Sequence, residues 1–401
     1  MKKVYINDTE FILKETKGLG IISGSIYILG GSVEDPTGKK GLTNLTTKLL
    51  LKGSKNYDSY SINKFFEDSG GFISSVTTEE YSIIEFSLKV EDFGKAVEII
   101  NDILKNPVFD KEKLKIEIEN TKAQIKAKKE SGISYAVEKL REVAFKGTPY
   151  ETSPLGKEED LDSITTDDIK SRWSELYNSS RFVISIVGDI PLKEMEESLK
   201  KLKIENKREY KPTLIDISVK NSDCMVFKRE GAQSTILLMF NAPKVSKDDY
   251  FKFKVFNSIL GDGFTSKLFQ ELREKKGYAY AVGSFYSPKP SFGYMVSYIG
   301  TAPEKTEDAL KDMKNVIDNF DKEVTEEDLK IAKEKIVGTF LMNHQTRLKQ
   351  ANYLGMFEAI GLGYEYDEKF PQIINSITLN DVIEVYKKYI PAASTCVIVK
   401  P

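Results

Sequence analysis

The chain has 401 residues, more than one hydrophobic core of about 250–300 residues fills, so two or more domains are expected. Hydrophobic residues make up 40% and charged residues 30%, which excludes a disordered chain. The formal net charge of -2 lacks the basic excess that a nucleic-acid partner requires.

The chain opens with MKKVYINDTEFIL, two lysines with no apolar stretch behind them, and this reads as the start of a strand, not a signal peptide. Cytoplasm and periplasm both stay open as compartments. An alternating strand, GIISGSIYILGGS, and an amphipathic helix, TNLTTKLLLKG, come next. A long hairpin follows in FISSVTTEEYSIIEFSLKV, then a charged helix in FDKEKLKIEIENTKAQIKAKKE. The first half closes on SITTDDIKSRWSELYNSSRFVISIV, a helix running into a β-branched strand. The charged, proline-bearing LKIENKREYKPTL places a linker at 205–225, between an N-terminal repeat 1–204 and a C-terminal repeat 226–401.

The second half runs through the same order. STILLMFNAP is its alternating strand, and DDYFKFKVFNSILG is its helix, behind the capping pair Ser246/Asp249. The hairpin is AYAVGSFYSPKPSFGYMVSYIG, and the closing helix and strand are SITLNDVIEVYKKYIPAASTCVIVK. The closing segments begin at Ser163 and Ser376, an offset of 213 residues (376 − 163). Thr165/Asp168 and Thr378/Asp381 give each the spacing of a capping box, in which the hydroxyl takes an orphan N–H of the first turn. FDKEKLKIE and VTEEDLKIA match at nearly the same offset, Leu114 against Leu329, 215 residues (329 − 114). Two matches in one register indicate a duplicated unit of about 200 residues. Strands grouped before helices give the fold class: α+β, two homologous repeats, each a mostly antiparallel sheet with helices packed on one face. No apolar run reaches the ~18 residues of a membrane-spanning helix.

Two composition figures constrain the chemistry. Cys224 and Cys396 are too few for a disulfide framework; one bridge is possible, and the reading adopted is two small buried residues. His344 is the single histidine. A hydrolytic zinc site usually takes two or three histidines from its chain, and no Gly-x-Ser-x-Gly elbow accompanies His344. In FLMNHQTRLKQ it reads as a surface or interface histidine on a helix.

Residues 41–54, GLTNLTTKLLLKGS, resemble the zinc helix of pitrilysin-type, or insulinase-like, metallopeptidases, which reads His-x-x-Glu-His, then apolar residues, then Lys-Gly-Thr/Ser. In that pattern histidines one turn apart share a zinc, and the Glu between them is the general base. Aligning Lys52-Gly53-Ser54 puts Asn44 and Lys48 at the histidine positions and Thr47 at the base. The family's third ligand, a Glu on the next long helix, aligns with Gln124, and a second helical acid survives as Glu117. The resemblance therefore implies a degenerate zinc site, with no metal or other cofactor in this chain.

GDGFTSKLFQELREKKGYAYAVGSFYS, residues 261–287, resembles the family's other functional segment. There a helical Arg and a Tyr seven residues later hold peptide carbonyls and stabilise the oxyanion. The matching residues are Arg273 and Tyr280; Gly261 and Gly263 match a short form of a glycine-rich loop proposed to touch substrate. The resemblance covers essentially the whole chain. It implies the Arg/Tyr subunit of a two-chain enzyme of the bacterial or mitochondrial-processing-peptidase type, not catalytic alone. Its implied partners are a homologous zinc-binding subunit of similar length and a peptide substrate. The alternatives are a non-enzymatic structural or peptide-binding protein on the same fold, or a homodimer that binds peptides without cleaving them.

Overall fold

The computed structural model describes residues 1–204, 208–245 and 248–401. Glu205, Asn206 and Lys207, at the start of the predicted linker, and Ser246 of the predicted capping pair lie outside the described residues. The chain divides into two compact units. The first takes Met1–Ile125, Thr152–Thr213 and Asn343–Asp367; the second takes Lys126–Glu151, Leu214–Met342 and Glu368–Pro401.

The first unit holds a six-stranded sheet made of β1 (Lys2–Ile6), β2 (Thr9–Glu15), β3 (Ile21–Leu29), β4 (Phe72–Thr77), β5 (Tyr81–Lys89) and β6 (Phe182–Gly188), in the order β1-β2-β6-β3-β5-β4. The second holds β7 (Met225–Lys228), β8 (Ser234–Ala242), β9 (Ala279–Pro288), β10 (Gly293–Thr301) and β11 (Ser394–Lys400), in the order β7-β11-β8-β10-β9. Without β1 the two orders correspond strand for strand. The first pair is parallel in both sheets, β2 with β6 and β7 with β11. Every other pair is antiparallel. The chain is α+β, and its two sheets fit two repeat-like halves. Both predicted capping boxes form, with the Thr165 and Thr378 side chains accepting the N–H of Asp168 and Asp381.

Successive side chains of a strand alternate between faces. In the first sheet Phe11, Leu13, Ile26, Ile184 and Ile186 enter the core under the main helical layer. Ile12, Tyr27, Val183 and Val187 point the opposite way and pack with Ala351 and Leu354 of the Arg347–Ala359 helix. That helix belongs to the second half of the sequence. Close packing rests on Gly355, where a Cβ would lie 2.5 Å from the Tyr27 ring and 2.7 Å from Ser185 Oγ. Ser185 Oγ donates to the Ala351 carbonyl at 2.6 Å, and Asn352 Nδ2 donates to Glu85 at 2.8 Å. The exchange is reciprocal: the Gly132–Ala144 helix, from the first half, packs on β8 and β11 of the second sheet.

One sequence expectation is corrected here. Cys224 and Cys396 form a disulfide, with Cα atoms 4.4 Å apart across a sequence separation of 172. The cause is strand register: β7 runs parallel to β11 with Met225 beside Val397, which sets the preceding residues, the two cysteines, side by side. Among the described residues no helix is long and apolar enough to cross a membrane.

Candidate functional site

The segment that resembles a zinc helix forms the helix Leu42–Leu50. Its first residue follows Gly41, at φ 100, which has no side chain to cap the helix. The buried carboxylate of Asp35 does so from outside, accepting the N–H groups of Gly41 at 3.0 Å and Thr43 at 2.9 Å. Burial pushes the Asp35 pKa up, while the Thr43 hydrogen bonds and the Arg172 charge oppose it. Leu45 and Leu49 are fully buried and fix the helix on the core.

The four aligned positions have separate fates. Thr47, at the place of the base, is buried; its hydroxyl donates to the Thr43 carbonyl at 2.9 Å and meets Ser82 Oγ at 3.1 Å. Asn44 is buried, and among the described residues its Nδ2 has no acceptor. Lys48 and Gln124 come together: the Lys48 ammonium donates to Gln124 Oε1 at 3.3 Å and to Thr121 Oγ1 at 3.2 Å. Glu117, the surviving acid, is paired with Lys52 at 2.9 Å. Lys48, Lys52, Glu117 and Gln124 border a cavity of about 430 Å³. Burial lowers the Lys48 pKa; Glu117 opposes that shift and Lys52 adds to it. Thr121 escaped the sequence reading, although it lies three residues before Gln124 on the same helical face.

This donor set does not fit zinc. Two amides and an ammonium stand at the three aligned ligand positions in place of the imidazole, thiolate or carboxylate ligands that zinc takes, and a hydroxyl stands at the base. The Lys48 charge would repel the ion directly. Among the described residues no group of three or more His, Cys, Asp or Glu side chains could hold a metal.

His344 also departs from its expectation. It lies just past the Glu326–Asn343 helix, in the turn before Arg347–Ala359, not within a helix. Its Nε2 is 2.6 Å from the buried Asp367 Oδ1, and its ring stacks on Tyr353 at 4.7 Å. The Asp367 partner is 23 residues away, out of reach of local pattern.

In the second unit Arg273 sits in a π-helical segment, Phe269–Lys275. Such segments are rare and recur at functional sites. Gly277, at φ 63, turns the chain out of the helix, and β9 begins two residues later. The turn brings the predicted pair together: Arg273 Nη1 donates to the Tyr280 backbone carbonyl at 2.6 Å. The guanidinium also lies over the Phe269 ring, 5.1 Å from its centroid. Tyr280 is 80% exposed, and among the described residues its hydroxyl has no partner. Gly261 is a packing glycine, since a Cβ there would lie 2.4 Å from Ser284 Oγ. Gly263 has φ +98, and Lys335 holds the loop through Asp262 at 3.0 Å.

Two family models match the chain. Residues 14–158 match the insulinase peptidase family, M16, and residues 163–336 match the M16 inactive domain. Together they account for most of the chain. The chain belongs to peptidase family M16. An uncharacterised zinc protease of Rickettsia felis is 25% identical over 372 residues, covering 92% of this chain and 90% of that one. A protein of Helicobacter pylori described as a non-peptidase homologue is 26% identical over 378 residues, with coverage of 90% and 84%. The crystal structure of an M16 inactive domain from Pseudomonas fluorescens matches with a TM-score of 0.92 at 20% identity, covering 100% of this chain and 97% of that one. The M16 chain described here keeps the fold and carries Arg273 and Tyr280 in the part matched by the inactive-domain model.

Proposed function

We propose that this M16 chain is the zinc-free, substrate-binding subunit of a heterodimeric metalloendopeptidase that cleaves peptides. Arg273 and Tyr280 are its contacts to substrate and transition state, and Gly261 and Gly263 shape the adjoining loop. A homologous chain of similar length supplies the zinc, the general base and the remaining ligands. The observation that carries this reading is the state of Tyr280: an exposed phenol without a partner among the described residues, beside a guanidinium already fixed by the tyrosine's own carbonyl. Packing among the described residues leaves that hydroxyl uncommitted. An oriented donor of this kind stabilises a developing oxyanion.

The test is reconstitution with a homologous M16 chain that carries an intact His-x-x-Glu-His. Cleavage of a fluorogenic peptide by the mixture, with neither chain active alone, is the expected result. The description of the Helicobacter pylori relative favours a second reading, a non-enzymatic peptide-binding protein on this fold. Peptide binding with no cleavage in any such mixture decides for that reading.

A further inference from the structure

The cavity beside Lys48 has an unbalanced charge. Its walls come from the Leu42–Leu50 helix and the two residues after it, from β4 through Ile73 and Ser75, and from the Lys111–Glu130 helix through Glu117, Asn120 and Gln124. Three charged side chains border it. Lys52 and Glu117 satisfy each other at 2.9 Å. Lys48 forms no ion pair among the described residues; its two acceptors, Thr121 and Gln124, are neutral and lie at 3.2 and 3.3 Å. An ammonium has three N–H groups, so one is uncommitted. One turn earlier on the same helix, but outside the cavity lining, the buried Asn44 Nδ2 has no acceptor among the described residues. What the half-buried ammonium lacks in this cavity is an anionic oxygen.

We propose that this cavity binds a peptide carboxylate, with the Lys48 ammonium as its counterion. The position that holds a metal cation in a zinc-bearing chain here holds a cation belonging to the chain itself. One net positive charge suits a monoanion. A phosphate dianion would meet the Glu117 carboxylate with its second charge uncompensated. A cavity of about 430 Å³ accepts the end of a peptide and is far larger than a bare ion needs. Leu51 and Ile73 supply apolar wall, and Asn63 and Asn120 supply amide hydrogen bonds. The peptide part of the assignment rests on the proposed substrate-holding role; the carboxylate part rests on the cavity alone and needs no partner chain.

Fluorescence anisotropy with the full 401-residue chain tests it, using an amino-terminally labelled tetra-alanine peptide. Three forms are compared: free carboxyl terminus, carboxyl-terminal amide, and the amide with one alanine replaced by glutamate. The free acid should bind wild type about ten- to a hundredfold more tightly than the amide, the range of one charge-assisted contact. Lys48→Met should erase that preference, and Lys48→Arg should keep part of it. Recovery by the glutamate-bearing amide assigns the carboxylate to a side chain; failure to recover assigns it to the terminus. Equal binding of all three forms by wild type overturns the proposal without any variant. Unchanged free-acid affinity in a folded Lys48→Met also overturns it, as does displacement by inorganic phosphate but not by acetate. None of these outcomes depends on cleavage by a reconstituted pair, so the two proposals fail independently.

Discussion

Arg273 is held by the residue it is expected to work beside: its Nη1 donates to the main-chain carbonyl of Tyr280 at 2.6 Å. The contact uses the tyrosine backbone, so the ring and hydroxyl remain outside it. The two side chains can therefore be tested separately. Tyr280→Phe leaves the guanidinium anchor intact and removes one exposed hydroxyl. In a reconstituted pair it should slow peptide cleavage by ~10²–10³ with assembly unchanged. Arg273→Ala should reduce the rate at least as much, because it removes the charge and frees the Tyr280 carbonyl. Steady-state rates with a fluorogenic peptide, and gel filtration of the same complexes, check both. An unchanged rate in Tyr280→Phe would return the residue to a surface role.

The duplication is legible in the sequence because its signals are local. Thr165/Asp168 and Thr378/Asp381 are each fixed by three residues of spacing, and both boxes form. The spacing that puts Arg273 beside Tyr280 is local in the same way, although the π-helical turn that carries Arg273 is not legible. Amphipathic periodicity reports that a helix face is buried, not which sheet covers it. Nothing near Ala351 or Leu354 announces that the Arg347–Ala359 helix packs against β3 and β6, more than 150 residues earlier in the chain. The Cys224–Cys396 bridge escapes a sequence reading on similar grounds, since it depends on β7 finding β11. The motif frame pairs Lys48 with Gln124, and the Lys48 ammonium lies 3.3 Å from Gln124 Oε1. The cavity beside them and the orphaned Asn44 donor follow from three-dimensional packing alone.

The exchanged helix gives a paired glycine test. At Gly355 a new Cβ would meet the Tyr27 ring and Ser185 Oγ well inside contact distance. Gly355→Ala should therefore destabilise the protein by about 1–3 kcal/mol despite the better helix propensity of alanine. At Gly338, in the Glu326–Asn343 helix, a methyl group would meet nothing within 4 Å, so Gly338→Ala should stabilise by about 0.5–1 kcal/mol. Urea unfolding of both variants measures the opposite signs. A stabilising Gly355→Ala would mean that the helix does not pack on the first sheet as described.

Lys48 should cost the fold stability. Burial depresses its pKa, so the unfolded chain holds that proton more tightly than the folded one does. Stability gained at this residue therefore rises as pH climbs from the folded value towards the ordinary lysine value of 10.5. Lys48→Met replaces the side chain by an unbranched apolar one a single heavy atom shorter and removes the charge. At neutral pH it should raise unfolding stability by about 1 kcal/mol, offset in part by loss of the hydrogen bonds to Thr121 and Gln124. The advantage should shrink as pH approaches 10.5. Thermal unfolding at two pH values reads this out, and a destabilised Lys48→Met at pH 7 would contradict it.

The Cys224–Cys396 bridge ties the edge strand β7 to β11. Reduction, or Cys224→Ser with Cys396→Ser, should lower stability by about 2–4 kcal/mol. Thiol titration under denaturing conditions should find no free thiol before reduction and two after it, since the chain has two cysteines. Such bonds persist in oxidising compartments and are rare in the cytosol. Two free thiols in protein purified without reductant would remove the bridge from the working protein.

Asp381 closes the capping box of the Leu379–Tyr389 helix and also pairs with Lys252 at 2.6 Å. Burial alone would raise its pKa. Hydrogen bonds from Lys252 and Thr378 outweigh burial and hold the carboxyl at about 2, against 3.8 for the free side chain. The folded state thus favours the charged form. The resulting stability is complete above pH 3.8 and fades as pH falls to about 2. Asp381→Asn keeps the shape, loses the charge and weakens the bonds from Lys252 and Thr378. At pH 7 it should destabilise by about 1–2 kcal/mol, the scale of a lost cap and a partly buried ion pair. The gap between wild type and Asp381→Asn should close on acidification across that window, because protonation makes the wild-type carboxyl as neutral as the amide. Urea unfolding at pH 7, 4 and 2.5 follows the closure. A gap that stays constant with pH would show that the asparagine acts through packing, not through the charge.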